Sequence, residues 1–174
     1  MEVTVLVGNP KAKSRTRTVA DAVARRIADA AGAHLGDTID LSDHTENLFA
    51  WQHEGLDALV ERVAASDLLV VASPTYKATY TGLLKAFLDR YGNDGLSGVT
   101  AFGVMTGGSA HHALAVDTTL RSLLVELGAS VPTRGLYFIT SQLEQLDAVV
   151  GEWAERHLVL GGPPGPTARA GGHR

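Results

Sequence analysis

The sequence predicts an α/β fold, a three-layer sandwich with helices on both faces of a five-stranded parallel sheet in the order 2-1-3-4-5. Three observations predict it. Short apolar or β-branched runs alternate along the whole chain with segments of helical period. Such alternation implies a parallel sheet with helices on both sides, and five strands favour that order. After Asp67, the run Leu68-Leu69-Val70-Val71-Ala72 is apolar without a break, as a strand covered on both faces must be. The strand candidates stop at turn-forming clusters: Gly8-Asn9-Pro10, Ser73-Pro74 and Thr106-Gly107-Gly108.

The elements follow in order. Val3 to Val7 reads as the first strand. Ser14 to Ala31 reads as a helix, with Val19, Val23 and Ile27 on one face. His34 to Leu41 is a weaker strand, and Thr45 to Gln52 a loop carrying Leu48, Phe49 and Trp51. A second helix starts near Glu54 and presents Leu56, Leu59, Val60 and Val63. Asp67 to Ala72 is the clearest strand. A third helix carries Leu84, Phe87, Leu88 and Tyr91, with Lys85 and Asp89 paired on its outer side. Val99 to Met105 is the fourth strand. A fourth helix carries Val116, Leu120, Leu123, Leu124 and Leu127, and Leu136 to Thr140 forms the last strand. Leu143, Leu146, Val150 and Trp153 mark a closing helix.

The chain of 174 residues suits one domain, expected over residues 1–160. Residues 161–174 are rich in Gly and Pro and read as a flexible tail. A net charge of −4 gives no electrostatic case for nucleic acid or an acidic membrane as the main partner. No apolar run approaches the roughly 20 residues of a membrane helix. There are no cysteines, which removes disulfides and thiolate chemistry. The first residues read as a strand rather than a signal peptide, so a cytoplasmic protein is expected.

In open sheets of this kind ligands bind at the carboxyl ends of the strands. Three segments converge there. The first, Gly8 to Thr18, leads into a helix N-terminus, whose free N–H groups and partial positive charge attract phosphate. Ser14, Thr16 and Thr18 offer hydroxyls, Arg15 a charged fork, and Lys11 and Lys13 further positive charge. Alone, this segment reads equally well as an ordinary helix start capped by Ser14. It lacks the second glycine of an NTPase phosphate loop and the G-x-G-x-x-G of a dinucleotide site. The second segment, Ser73 to Gly82, offers the aromatic faces of Tyr76 and Tyr80 to a planar ligand. In the third, Thr106 to His112, two glycines let backbone approach a ligand closely. Taken singly, the second and third segments are also ordinary turns between a strand and a helix. Ser109, His111, His112 and Asp117 lack the G-x-S-x-G context of a hydrolase. Adjacent histidines point apart on a helix and make a poor metal pair, so no metal site is expected.

Together the three segments resemble a known family. Gly8-Asn9-Pro10-Lys11 with Ser14-Arg15-Thr16 is similar to the G-S-P-R…S-R-T phosphate loop of the flavodoxin-like NAD(P)H-dependent FMN reductases. Ser73-Pro74-Thr75-Tyr76-Lys77-Ala78, followed by Gly82-Leu83-Leu84-Lys85 and Leu88-Asp89, resembles that family's second flavin loop and helix. Thr106-Gly107-Gly108-Ser109, His112 and Leu114-Ala115-Val116-Asp117 resemble, more narrowly, the reductases that feed FMNH2 to alkanesulfonate monooxygenases. The resemblance spans residues 3 to 157.

It implies FMN as cofactor, with NADPH or NADH as hydride donor and no catalytic side chain. Its phosphate is expected on Ser14, Arg15 and Thr16, with Asn9 and Lys11 in the same loop. The ring is expected against Pro74, Thr75, Tyr76 and Lys77 and against Thr106, Gly107 and Gly108. Ser109 and His112 complete the expected site. A homodimer or homotetramer and a partner flavin-dependent monooxygenase are also implied. A quinone or azo reductase with tightly held FMN, or a flavodoxin-type electron carrier, are the alternatives. Asn9 stands in place of serine, Lys11 in place of arginine, and Thr118 where some relatives carry an aromatic residue.

Overall fold

A computed structural model describes residues 1–50 and 52–158. The expected boundary at residue 160, the tail 161–174 and Trp51 lie outside the described residues. The strands are β1 (Glu2–Val7), β2 (His34–Asp40), β3 (Leu68–Pro74), β4 (Thr100–Gly107) and β5 (Leu136–Ile139). They form one parallel sheet in the order β2-β1-β3-β4-β5, the flavodoxin-like order the sequence predicts. The helices are α1 (Arg15–Ala31), α2 (Glu54–Ala64), α3 (Gly82–Leu88), α4 (Arg121–Glu126) and α5 (Leu146–His157).

Alternation along each strand builds two cores. Val3, Val5 and Val7 of β1, with Val70 and Ala72 of β3, face α1 and α5. Leu6, Leu69, Val71 and Met105 face α2, α3 and α4. Period-two side chains on strands that are buried on both sides leave no polar face, which is why β3 reads as a continuous apolar run.

Three helices differ from their sequence pattern, the closing one because Leu143 lies in a 3-10 turn, Thr140–Gln145, ahead of α5. Residues from Leu88 onward turn more tightly than an α-helix, with the Tyr91 amide bonded to the Leu88 carbonyl at 3.2 Å. Tyr91 therefore lies beyond α3. It keeps its packing, edge-on to Phe87 at 6.2 Å, and donates its hydroxyl to the Val60 carbonyl at 2.9 Å. Burial pushes the Tyr91 hydroxyl pKa up. The fourth helix begins as a π-helical turn, Val116–Leu120, before it becomes α4. Hydroxyls of Thr118, Thr119 and Ser122 donate to the carbonyls of Leu114, Ala115 and Thr118, each four residues back. These side-chain bonds compete with the regular backbone ladder. Among the described residues no helix is long and apolar enough to cross a membrane.

Register brings the strand ends to one edge. Val7 pairs with Ala72, Pro74 with Thr106, and Gly107 with Ile139. The chain leaves β1 at Gly8, where any Cβ would run into the side chain of Leu84 on α3. Thr81, the N-cap of α3, locks this approach. Its hydroxyl donates to the Gly8 carbonyl at 2.6 Å and accepts from the Leu84 amide at 3.1 Å. Gly8→Ala is expected to destabilise the fold by about 1–3 kcal/mol through overpacking. Urea unfolding should show this as a lower midpoint with an unchanged slope.

Candidate functional site

A cleft of about 370 Å³ opens at this edge of the sheet, within the size range of small-molecule sites. Its walls come from the loop after β1 and the start of α1, from the end of β3, and from the end of β4. Of the residues expected to hold FMN, all but Lys77, Ser109 and His112 line it, and Thr18 and Tyr80, whose hydroxyl and ring the sequence also offered, do not. Lys13 and Thr140 line it as well. Thr140 was not singled out in the sequence. The available signal was its place at the carboxyl end of the last expected strand, which the structure ends one residue earlier, at Ile139.

The first wall is built for an anion. Ser14 caps α1 by accepting the Arg17 amide at 3.3 Å, and the Thr18 amide bonds the Ser14 carbonyl at 3.2 Å. The helix-cap reading of Ser14 is therefore realised, and it suits an anion site too, since the cap fixes where the helix begins. The amides of Arg15 and Thr16 have no hydrogen-bond partner among the described residues. Lys11, Lys13 and Arg15 are exposed around them, and no described carboxylate pairs with any of the three. Asn9 is 7% exposed and braces the loop. Its Oδ1 accepts the Lys11 amide at 2.9 Å, and its Nδ2 donates to Thr16 Oγ1 at 2.9 Å.

The second wall continues β3. The Thr75 amide donates to the Thr106 carbonyl at 2.7 Å, which carries the pairing one residue past Pro74. Thr75 Oγ1 is buried at the cleft and has no hydrogen-bond partner. A buried hydroxyl without a partner carries a desolvation cost that a polar ligand atom would relieve. Tyr76 and Thr79 exchange backbone hydrogen bonds across Lys77 and Ala78, whose φ values are 53° and 66°. Two successive left-handed residues make a type I′ turn. The turn leaves Tyr76 half exposed at the rim and carries the Lys77 side chain off the lining.

The third wall needs its glycine. A Cβ on Gly107 would collide with the Tyr137 hydroxyl, which donates to the Ser109 carbonyl at 3.1 Å. The Tyr137 bond holds Ser109 by its backbone, while the Ser109 hydroxyl lies 3.3 Å from His111 Nδ1. His112 sits exposed on a short turn beyond it.

Comparison with known proteins shows the family. The family model described as NADPH-dependent FMN reductase matches residues 1–144. The chain belongs to the NADPH-dependent FMN reductase family. The NADH-dependent FMN reductase SfnE of Pseudomonas putida is 32% identical over 155 residues, covering 84% of this chain and 80% of that protein. The NADH-dependent FMN reductase SfnF of Pseudomonas putida is 38% identical over 86 residues. That match covers 49% of this chain and 46% of SfnF, so less than half of that relative is spanned. Among solved structures, the apo form of the NADH:FMN oxidoreductase EmoB aligns with a TM-score of 0.77 at 27% identity, covering 94% of this chain and 91% of that one.

The residues present fit FMN. A helix start with free amides and unpaired cations suits a phosphate, and an unpartnered hydroxyl beside an aromatic rim suits a planar polar ring. Thr75→Val removes the unpartnered hydroxyl at nearly constant volume. The ligand-free variant is expected to melt at or slightly above the wild-type temperature, as calorimetry would show.

Proposed function

We propose that this protein is an NAD(P)H-dependent FMN reductase whose cleft holds the FMN phosphate at the start of α1 and the ring between Thr75–Tyr76 and Thr106–Gly108. The observation that carries this reading is the junction in one cleft of an anion cradle and an unpartnered ring-side hydroxyl. Membership of the reductase family supports it.

The chemistry supplied by FMN, when bound, is acceptance of hydride from a reduced nicotinamide. The chain's own residues bind and orient. Arg15 offers a charged fork and Lys11 and Lys13 raise the local potential, against a net charge of −4. Thr75 offers its hydroxyl. Gly108 leaves the third wall without a side chain where a Cβ would stand in open space, so a flat ring could approach the backbone closely there, and Gly107 leaves room for the Tyr137 hydroxyl behind it. No side chain acts as acid or base in this account.

The FMNH2 produced would serve a flavin-dependent monooxygenase, the role that the resemblance of the segment from Thr106 to Asp117 implies. The reading extends to a cytoplasmic homodimer or homotetramer. Phe49, at 81% exposed, and Leu114, at 65%, are apolar side chains that a second subunit would cover.

The decisive assay follows NADPH and NADH oxidation by absorbance with and without added FMN. Oxidation that depends on FMN is expected, and its absence with both coenzymes at saturating FMN would sink the reading. Arg15 is exposed, so Arg15→Ala should fold normally. It is expected to raise the FMN Kd about tenfold or more by losing a charge-assisted bond. Fluorescence titration reads this. Added salt should weaken binding to the wild type more than to the variant, because exposed charges are screened.

A further inference from the structure

The cleft floor holds a chain of hydrogen bonds that ties its three walls together. Asn9 Nδ2 donates to Thr16 Oγ1 at 2.9 Å, Thr16 Oγ1 lies 2.8 Å from Thr106 Oγ1, and the Thr106 carbonyl accepts the Thr75 amide at 2.7 Å. The Asn9 orientation is fixed because its Oδ1 accepts from the Lys11 amide. Thr16 and Thr106 are 1% and 2% exposed. They are separated by 90 residues in sequence and belong to different walls of the cleft.

A hydroxyl has one proton and two lone pairs. Thr16 Oγ1 accepts from Asn9 and shares a hydrogen bond with Thr106, so two of its three capacities are used within the protein, and the residue is 1% exposed. The amides of Arg15 and Thr16, by contrast, are unpartnered among the described residues. The two ends of the same residue thus serve different tasks.

We propose that Thr16 and Thr106 form a hydroxyl clamp that sets the spacing between the phosphate-binding start of α1 and the ring-binding end of β4. On this account the Thr16 side chain is a positioning group, and the phosphate is left to the amides of Arg15 and Thr16 and to the Arg15 guanidinium. The inference rests on the FMN reading of the cleft and deepens it. It also separates two neighbours that look equivalent in the sequence: Ser14 caps α1 from the edge of the cleft, while Thr16 points inward to β4.

A double-mutant cycle tests the clamp, with Thr16→Val, Thr106→Val and the double variant. FMN affinity is read by fluorescence titration, and the bound-flavin environment by visible circular dichroism. Each single variant is expected to raise the FMN Kd about tenfold, and the double variant by the same factor of about ten rather than about a hundred. Both singles should alter the bound-flavin spectrum in the same way, and Thr16→Ser should restore both affinity and spectrum. Loss of affinity in Thr16→Val with a wild-type Thr106→Val would make Thr16 a direct phosphate ligand and overturn the clamp. Additive effects in the double variant, or no effect in either single, would overturn it too.

Should one valine variant fail to fold, the serine variants at both positions carry the test. Each retains the hydroxyl and should bind FMN as wild type, and weakened binding by either would overturn the clamp. Failure of the wild type to bind FMN would overturn the reading of the cleft instead. The clamp is then tested by thermal unfolding of the ligand-free cycle, where coupled losses support it and additive losses overturn it.

Discussion

The site depends on Thr106, the residue through which three separate chain segments hold one another at fixed distance. Its hydroxyl meets Thr16 at the start of α1, and its carbonyl takes the Thr75 amide at the end of β3. A parallel sheet delivers strand ends to a common edge, but the connections that leave each strand are separate and would drift independently. A buried polar chain removes that freedom. It is stable only when all its members are satisfied, because each unpaired member would carry a desolvation cost of about 1–3 kcal/mol. Close packing does the same on the other side of β1, where Gly8 abuts Leu84 and Thr81 bridges the two.

Against this rigid floor, two features stand out as unsatisfied. One is the pair of free amides at the start of α1, surrounded by cations without carboxylate partners. The other is the lone hydroxyl of Thr75. Folded proteins pair most of their buried polar groups, so groups left open beside a cleft mark where a ligand supplies the missing partners. The overall charge is negative, so the positive character of the cleft mouth is local. On the proposed reading an anion is drawn to one end of the site, while the other end offers backbone and an aromatic rim.

The layering was legible because each strand's pattern answers to burial. β3 and β4 carry no polar face to misread, and the helices show their inner sides at spacings of three and four residues. The weak strand was β2, an edge strand with only Ile39 and Asp40 fully buried among its residues. The end of α3 was hidden because Tyr91 packs against Phe87 from a tighter turn, which preserves the apolar spacing without a helix. The π-helical turn was hidden because Thr118, Thr119 and Ser122 look like ordinary surface residues until their hydroxyls are seen to bond backward. At the cleft, the positions of the three segments were legible from glycine and proline punctuation. The inward turn of Thr16 was not, since its partner Thr106 is distant in sequence. Lys77, Ser109 and His112 follow the lining residues directly or closely, and only the type I′ turn and the Tyr137 bond show why their side chains leave the cleft.

In the proposed complex FMN lies along the joined ends of β1, β3 and β4 with its phosphate on the backbone amides of α1. Amide chemical-shift mapping with isotopically labelled protein tests it most directly. On addition of FMN, the largest shifts should fall on the amides of Arg15, Thr16, Thr75, Tyr76, Gly107 and Gly108, with small changes elsewhere. Shifts concentrated instead around Phe49, Asp57 and Arg90, with Arg15 and Thr16 unmoved, would contradict the account.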